Sequence, residues 1–242
     1  MMCDVWWAEP ALADRGLLEL LDDRERERHA RFRLAADRDR YAVAHALARL
    51  AVAREAGCAP RDVVFGFRCP ACERRPDPRP KPHGKPRPEG AARGLEISIS
   101  HSGGRVVLAL TRGVPVGVDV EGVSADRDID GLIAYALTGS ERAALEELPA
   151  HERVPGFFGY WARKEALLKA TGEGLSGGLA AVAVTSPAAP AAVVSWESPD
   201  APGHVQLTDL DAGPGYRAAL AALTPAPVTV VPRDGAALLR ER

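Results

Sequence analysis

The chain has 242 residues, enough for one large domain or two small ones, and its 46% hydrophobic and 26% charged residues are typical of a globular protein. The formal net charge of −2 excludes a general attraction to nucleic acid or to an anionic membrane. No basic segment followed by an apolar core opens the chain, and no apolar run approaches the roughly 18 residues of a membrane-spanning helix, so we expect a cytoplasmic protein.

The first part of the chain predicts two helices and a short strand. Residues 14–30 and 37–56 have the apolar spacing of helices, and the second segment, rich in Ala and Leu, ends at Gly57. The apolar run over 63–67 predicts a strand. Arg40 lies in the second helix, where it is either a plain surface charge or a phosphate ligand.

A proline-rich segment follows, RCPACERRPDPRPKPHGKPRPEG over 68–90. Its seven prolines predict an extended surface loop. The loop is either a flexible linker or a rigid arm that places Gly84, Lys85 and Pro86 against a ligand.

The same loop contains a pair of cysteines. Cys69 and Cys72 have the spacing of half a zinc site, which Cys58 and His83 could complete. Reduced loop thiols are the simpler interpretation. A thioredoxin-like redox pair is disfavoured, because no βαβ pattern surrounds the motif.

Residues 95–110, LEISISHSGGRVVLAL, predict a β-hairpin with a Gly-Gly turn. The turn, from His101 to Gly104, offers an imidazole, a hydroxyl and glycine amides, a combination that can bind an anion. A Ser–His hydrolase is disfavoured, because adjacent residues of a strand point to opposite faces and the chain has no G-x-S-x-G elbow.

The next predicted strand, over 115–123, carries two carboxylates on one face. Asp119 and Glu121 alternate with valines and lie about 7 Å apart along the strand. Two such carboxylates can start a site for a divalent cation whose other ligands include waters and a phosphate. A strand with one solvated face explains the same pattern.

Residues 156–172 predict a helix that carries a charged cluster. On a helical wheel Lys164 falls near the middle of the apolar stripe, while Glu165 and Lys169 lie one turn apart on its margin. A surface ion pair would explain the latter two, and a snorkelling side chain would explain Lys164. One site that binds a pyrophosphate and Mg²⁺ would explain all three.

The remaining segments complete an α+β pattern. Residues 140–148 predict a helix, and 182–196, 204–211 and 215–223 predict closing strands. Helices and antiparallel strands thus occur in both halves of the chain.

Taken in order, six segments resemble the Sfp-type 4′-phosphopantetheinyl transferases. They span roughly residues 25–222, and they are ARFRLAADRDRYAVAHALARL, HGKP, SISHSGG, GVDVE, WARKEALLKATGEGL and GPGYRAALAA. The resemblance implies a pseudo-twofold pair of similar α/β subdomains in one chain, with the active site in the cleft between them. The N-terminal subdomain, 1–114, would bind the nucleotide of coenzyme A, and the C-terminal subdomain, 115–242, would carry the metal and catalytic residues.

The resemblance also implies a reaction and its partners. The 4′-phosphopantetheine group of coenzyme A would pass, with Mg²⁺, to a serine of an apo acyl or peptidyl carrier protein, releasing adenosine 3′,5′-bisphosphate. The partners would be carrier proteins of polyketide, nonribosomal peptide or fatty acid synthases, with no nucleic acid and no membrane, and the enzyme would be a monomer. Docking is expected on the segment from Gly122 to Leu137 through Leu132, Ile133 and Tyr135.

Carried over by motif, Asp119, Glu121 and Glu165 would be the metal ligands. Glu165 would also be the base for the carrier serine. Lys164 and Lys169 would neutralise the pyrophosphate and the leaving group.

The nucleotide and its phosphates would be held by Arg40, Lys85, Ser100 and His101, with Pro86 shaping the adenine pocket. Two positions depart from the family pattern. Ser98 stands where the hairpin motif usually has Asn, and Glu25 interrupts the basic positions before Phe32, which include Arg26, Arg28 and Arg31.

Two other functions fit parts of the pattern. A Mg²⁺-dependent phosphodiesterase or nuclease would use the same carboxylates, but it predicts a basic face, which the net charge of −2 and the G-K-P and S-H-S-G-G segments do not favour. A non-catalytic coenzyme A-binding module would keep Arg40 and His101 but has no use for three metal carboxylates.

Overall fold

The computed structural model describes residues 1–74, 83–124, 128–174 and 178–242, and it confirms the predicted α+β class. Part of the proline-rich loop and part of the expected docking segment, 125–127, lie outside the described residues. The helices are α1 (Leu17–Leu20), α2 (Asp23–Arg31), α3 (Ala35–Ala56), α4 (Pro70–Arg74), α5 (Asp130–Ala136), α6 (Gly139–Glu146), α7 (Ala150–Thr171) and α8 (Gly235–Arg240). The strands are β1 (Met2–Ala8), β2 (Phe65–Arg68), β3 (Lys85–Pro88), β4 (Leu95–Ser102), β5 (Arg105–Arg112), β6 (Val116–Gly122), β7 (Val182–Val184), β8 (Val193–Trp196), β9 (Gln206–Leu210), β10 (Tyr216–Ala222) and β11 (Thr229–Asp234).

The first sheet has the strand order β11-β1-β5-β4. The predicted hairpin forms its β4–β5 edge, with Ser102 opposite Arg105. Helix α3 packs across this sheet through buried Leu47 and Val52, and it ends at Gly57 in the left-handed conformation that caps helices. The end of the chain returns here, because β11 pairs parallel to β1. The division into subdomains 1–114 and 115–242 stays a prediction.

The second sheet has the order β6-β10-β9, and α7 packs on it to form the second core. The first core lies between α3 and the first sheet. Helix α7 begins at Ala150, six residues before the predicted start, and continues through Pro155. A proline near a helix start removes only the hydrogen bond to the carbonyl four residues earlier, which here belongs to the exposed His151. The helix therefore tolerates a residue that usually breaks one.

The two sheets meet through a shared apolar layer. Val5 and Val107 from the first sheet pack with Val118, Val120 and Leu220 from the second. This layer fixes β4 beside β6 and so brings the hairpin residues to the strand that carries the predicted metal ligands. No helix among the described residues is long and apolar enough to cross a membrane.

Candidate active site

The close approach of α7 to β6 assembles the site. At Gly117 of β6, a Cβ atom would lie 1.9 Å from the Ala166 carbonyl oxygen and 2.4 Å from the Ala170 nitrogen. Any larger residue would therefore push the helix off the strand. The contact lets Lys169 Nζ reach Asp119 Oδ1 at 2.6 Å.

A triangle of hydrogen bonds joins three elements at this point. Ser100 Oγ, on β4, donates to Asp119 Oδ1 at 2.8 Å, and Lys169 Nζ donates to Ser100 Oγ at 2.9 Å. Asp119 and Ser100 are buried, whereas the Lys169 side chain is 27% exposed. Lys169 is therefore the member of the triangle that a ligand can reach.

The carboxylates of Asp119 and Glu165 fit a divalent cation. Burial raises the pKa of Glu165, the charge of Asp119 raises it further, and Lys169 opposes this. Asp119 Oδ2 and Glu165 Oε1 are buried and have no hydrogen-bond partner among the described residues. Buried carboxylate oxygens without donors are costly unless a charge compensates them, and oxygen ligands of this kind suit Mg²⁺.

Glu121 extends this carboxylate face along β6. It is half-buried, and Ser102 Oγ donates to its Oε2 at 3.3 Å. The predicted metal ligands Asp119 and Glu121 thus share one face of the strand, and Glu165 adds a third carboxylate from α7.

The turn of the hairpin lies beside this cluster and holds the predicted anion-binding groups. Arg40, on α3, donates to the Gly103 carbonyl at 3.2 Å and also pairs with Asp37. Loss of water around the imidazole lowers the pKa of His101, and the charge of Lys169 lowers it further. The neutral imidazole is therefore favoured near pH 7.

Three residues that sequence reasoning did not assign hold the hairpin in place. Ser98 Oγ accepts from the Val118 N–H at 3.0 Å, and Ser102 Oγ accepts from the Gly122 N–H at 3.0 Å. Tyr216 Oη accepts from the Gly104 N–H at 2.9 Å. The alternation of serines at 98, 100 and 102 was the available signal, since alternate residues of β4 face one side.

Lys85 does not extend into the cluster as its assignment to the phosphates requires. Its buried ammonium donates to the Val116 carbonyl at 2.7 Å and to the Ala170 carbonyl at 3.1 Å, with Glu96 at 3.7 Å. Burial lowers its pKa to about 8. Lys85 ties β3 to β6 and α7, and its neighbour Pro86 lies in β3 opposite Phe67.

Lys164 is also separate from the carboxylate cluster, which corrects the role assigned by resemblance. It is fully buried, and its ammonium donates to the Ala136 carbonyl at 2.7 Å, to Glu141 Oε2 at 2.5 Å and to the Leu179 carbonyl at 3.2 Å. All three N–H donors are used, so none remains for a phosphate. The apolar stripe of α7 faces the second core, and Lys164 anchors that core.

Glu25 has a structural reason to interrupt the basic positions. It closes the capping box of α2 with Asp22, and it accepts from Arg49 Nε at 2.7 Å and pairs with His45. The side chain is buried and holds α2 against α3. Glu25 therefore does not occupy a position where a phosphate ligand would be needed.

The expected docking segment divides into buried and exposed parts. Leu132 and Ile133 are half-buried and pack against the second core. Tyr135 is 49% exposed. Of the three residues predicted for docking, Tyr135 offers the most accessible side chain.

Comparison with known proteins agrees with this arrangement. Residues 115–221 match the family model described as the 4′-phosphopantetheinyl transferase superfamily. The "Putative 4′-phosphopantetheinyl transferase slr0495" of Synechocystis sp. is 29% identical over 164 residues, which are 68% of this chain and 62% of that protein. The 4′-phosphopantetheinyl transferase psf-1 of Bacillus pumilus is 34% identical over 133 residues, 54% of each chain. HetI of Nostoc sp., with the same transferase name, is 34% identical over 86 residues, 36% of each chain.

The matches span less than two thirds of the length of each of these relatives. The family-model match includes the strand and the helix that supply Asp119, Glu165 and Lys169. Residues 115–221 are therefore similar to the 4′-phosphopantetheinyl transferase superfamily, and the chain resembles its Sfp type.

Proposed function

We propose that this chain transfers the 4′-phosphopantetheine group of coenzyme A to a serine of an apo acyl or peptidyl carrier protein. The observation that carries the proposal is the pair of buried, unpartnered oxygens, Asp119 Oδ2 and Glu165 Oε1, beside the exposed end of Lys169. Two carboxylates next to one accessible ammonium form a site with both signs of charge, as a metal–pyrophosphate complex requires.

Asp119, Glu121 and Glu165 would hold Mg²⁺. When bound, the ion would polarise the pyrophosphate and stabilise negative charge on the leaving oxygen. Ser100 and Lys169 fix one Asp119 oxygen, which leaves Oδ2 as the free ligand atom. This orientation of the carboxylate exists before any ligand binds.

Glu165 would accept the proton of the carrier serine as that hydroxyl oxygen bonds to the phosphorus bearing the pantetheine arm. The bond from that phosphorus to the bridging oxygen breaks, and adenosine 3′,5′-bisphosphate leaves with the electron pair. Lys169 would neutralise charge on the departing bisphosphate.

The nucleotide would lie toward the hairpin turn and α3. Arg40 already faces the turn, and His101 and the turn amides complete a concave donor set. Because the pKa of His101 is lowered, its neutral ring would act as a single N–H donor and not as a second cation.

The partner surface is proposed at α5, the helix that follows β6 along the chain. Tyr135 supplies an exposed aromatic side chain on this helix. We further propose that the protein acts as a cytoplasmic monomer on carrier proteins of polyketide, nonribosomal peptide or fatty acid synthases, and that 1–114 and 115–242 form the two subdomains.

The test is to incubate the chain with coenzyme A, Mg²⁺ and an apo carrier protein and to weigh the carrier by mass spectrometry. We expect a gain of one phosphopantetheine group at the carrier serine, no gain without divalent metal, and no gain with Asp119→Asn. Unchanged mass across several apo carriers, while a known transferase modifies them in parallel, would overturn the proposal. Cleavage of nucleic acid in the same buffer would favour the phosphodiesterase alternative.

A further inference from the structure

A second cluster of metal-ligating side chains lies outside the carboxylate site. The ligand atoms of Cys69, Cys72 and His83 all lie within 4.8 Å of one another, and Cys72 Sγ lies 3.1 Å from His83 Nε2. In a tetrahedral zinc site with two thiolates and one imidazole, ligand atoms are separated by about 3.5–3.8 Å. Small side-chain rotations would therefore bring the three atoms to coordination distance.

From this cluster we infer that Cys69, Cys72 and His83 bind one Zn²⁺, with the fourth ligand position open to water. Two sulfurs and one imidazole nitrogen are the donor set that zinc prefers among common cellular metals. Cys58, the other cysteine considered from sequence, packs against the first core and is not part of the cluster. Of the two candidates for completing the half-site, the structure selects His83.

The backbone around Cys69 supports thiolate ligands. The N–H groups of Cys72 and Glu73 both donate to the Cys69 carbonyl, at 3.0 and 3.1 Å, which forms the tight turn that a Cys-x2-Cys pair needs. The Cys72 backbone N–H also donates to the Cys69 sulfur.

The cluster closes the open end of a two-stranded ribbon. Arg68, the last residue of β2, pairs with Lys85, the first residue of β3. Cys69 follows Arg68 directly, and Gly84 separates His83 from Lys85. Between them, a Cβ on Gly84 would lie 2.1 Å from the Arg68 carbonyl oxygen, so only glycine lets the two chains approach here. A metal bound to Cys69 and His83 would hold the two chain segments together at this close approach.

The ribbon in turn contacts the element that carries Glu165 and Lys169. A Cβ on Gly172, the cap residue of α7, would lie 3.5 Å from Lys85 Cβ and 3.8 Å from Pro70 Cδ. Lys85 also donates to the Ala170 carbonyl. A zinc ion at the end of the ribbon would therefore help to hold β3 against the C-terminal turn of α7.

The experiment measures metal directly and does not depend on transferase activity. The full-length chain, purified under reducing conditions, should contain about one zinc per molecule by elemental mass spectrometry, and Cys72→Ser should lower this below about a tenth. Cys58→Ser is the matched control and should retain the metal. Chelation of zinc should speed amide hydrogen exchange in β2 and β3 but not in β4 and β5.

A cobalt titration covers the case in which Cys72→Ser fails to fold. Co²⁺ added to the reduced apo chain should give the visible bands of tetrahedral cobalt with thiolate charge transfer. His83→Cys should keep the metal and strengthen the charge-transfer band, because a third thiolate replaces an imidazole. The inference is overturned if the reduced chain takes up no zinc on titration, if Cys72→Ser takes up as much zinc as the unchanged chain, or if His83→Cys leaves the cobalt charge-transfer band unchanged. A Cys69–Cys72 disulfide that binds no metal after reduction would overturn it equally.

Discussion

The contacts of Lys164 give it a structural role, whereas the resemblance implies a catalytic one, and replacing it by methionine tests which role is correct. Methionine fills a similar volume but leaves the Glu141 carboxylate, which is buried, without its cation. Removing one partner of a buried ion pair costs about 3–5 kcal/mol. Since domains are stabilised by about 5–15 kcal/mol in total, Lys164→Met should remove a large part of the stability.

The measurement is urea unfolding followed by both circular dichroism and tryptophan fluorescence. With a denaturant slope of about 3 kcal/mol per molar urea, the midpoint should fall by about 1–1.7 M. Arg153→Met is the matched control on the same helix. Arg153 is exposed and donates only to the Leu148 and Glu146 carbonyls, so its loss should cost less than about 1 kcal/mol.

A second substitution tests the cause of the instability. Glu141→Gln removes the uncompensated charge and keeps one amide oxygen, which can accept from either the Thr138 or the Val184 N–H group but not from both, because these donate to different carboxylate oxygens. The double variant Lys164→Met with Glu141→Gln should therefore be more stable than Lys164→Met alone. A Lys164→Met chain that unfolds at the wild-type midpoint but loses activity would refute the reasoning and return Lys164 to the pyrophosphate.

Three further predictions concern the site. Glu165→Gln should lower kcat by more than about 10²–10⁴-fold, because it removes both a base and a metal ligand, while coenzyme A binding should be better retained. Steady-state kinetics measures kcat and calorimetry measures coenzyme A binding. The control Glu152→Gln, at an exposed position on the same helix, should change neither kcat nor coenzyme A binding. The lowered pKa of His101 means that its contribution to stability is present above the ordinary value of about 6.5 and is lost as the pH falls through the folded value. Because the side chain is exposed and solvent screens the effect, His101→Asn should reduce the loss of urea midpoint between about pH 7.5 and 5.5 only slightly, and a larger loss in the variant would contradict this. Tyr135→Ala should raise the KM for the carrier protein and leave that for coenzyme A unchanged, whereas equal KM values for the carrier would place docking elsewhere.

Local periodicity made much of the carboxylate site predictable. A strand places alternate residues on one face, so Asp119 and Glu121 could be paired from GVDVE alone. A helix places residues four apart together, so Glu165 and Lys169 could be assigned to one margin of α7. The order of the motifs indicated a resemblance to the Sfp-type transferases.

The local start of α7 was harder to predict, because two rules compete there. Pro155 and Gly156 are typical of a helix boundary, but the helix continues through both of them. The chain tolerates Pro155 because the backbone carbonyl that loses its hydrogen bond belongs to the exposed residue His151. The next residue, Gly156, is buried against Leu145 and Leu148. Packing outweighed local propensity at this position.

Only the tertiary structure decided what each lysine does. A helical wheel shows that Lys164 lies in the apolar stripe, but it does not show whether that stripe faces the cleft or the second core. The direction of a buried ammonium depends on acceptors that arrive from distant segments, which here are Ala136, Glu141 and Leu179. The same holds for Cys69, Cys72 and His83, whose spacing suggested a half-site while the pairing of β2 with β3 selected the third ligand. Sequence periodicity determines which side chains share a face of one element, and the packing of elements determines which of those faces meet.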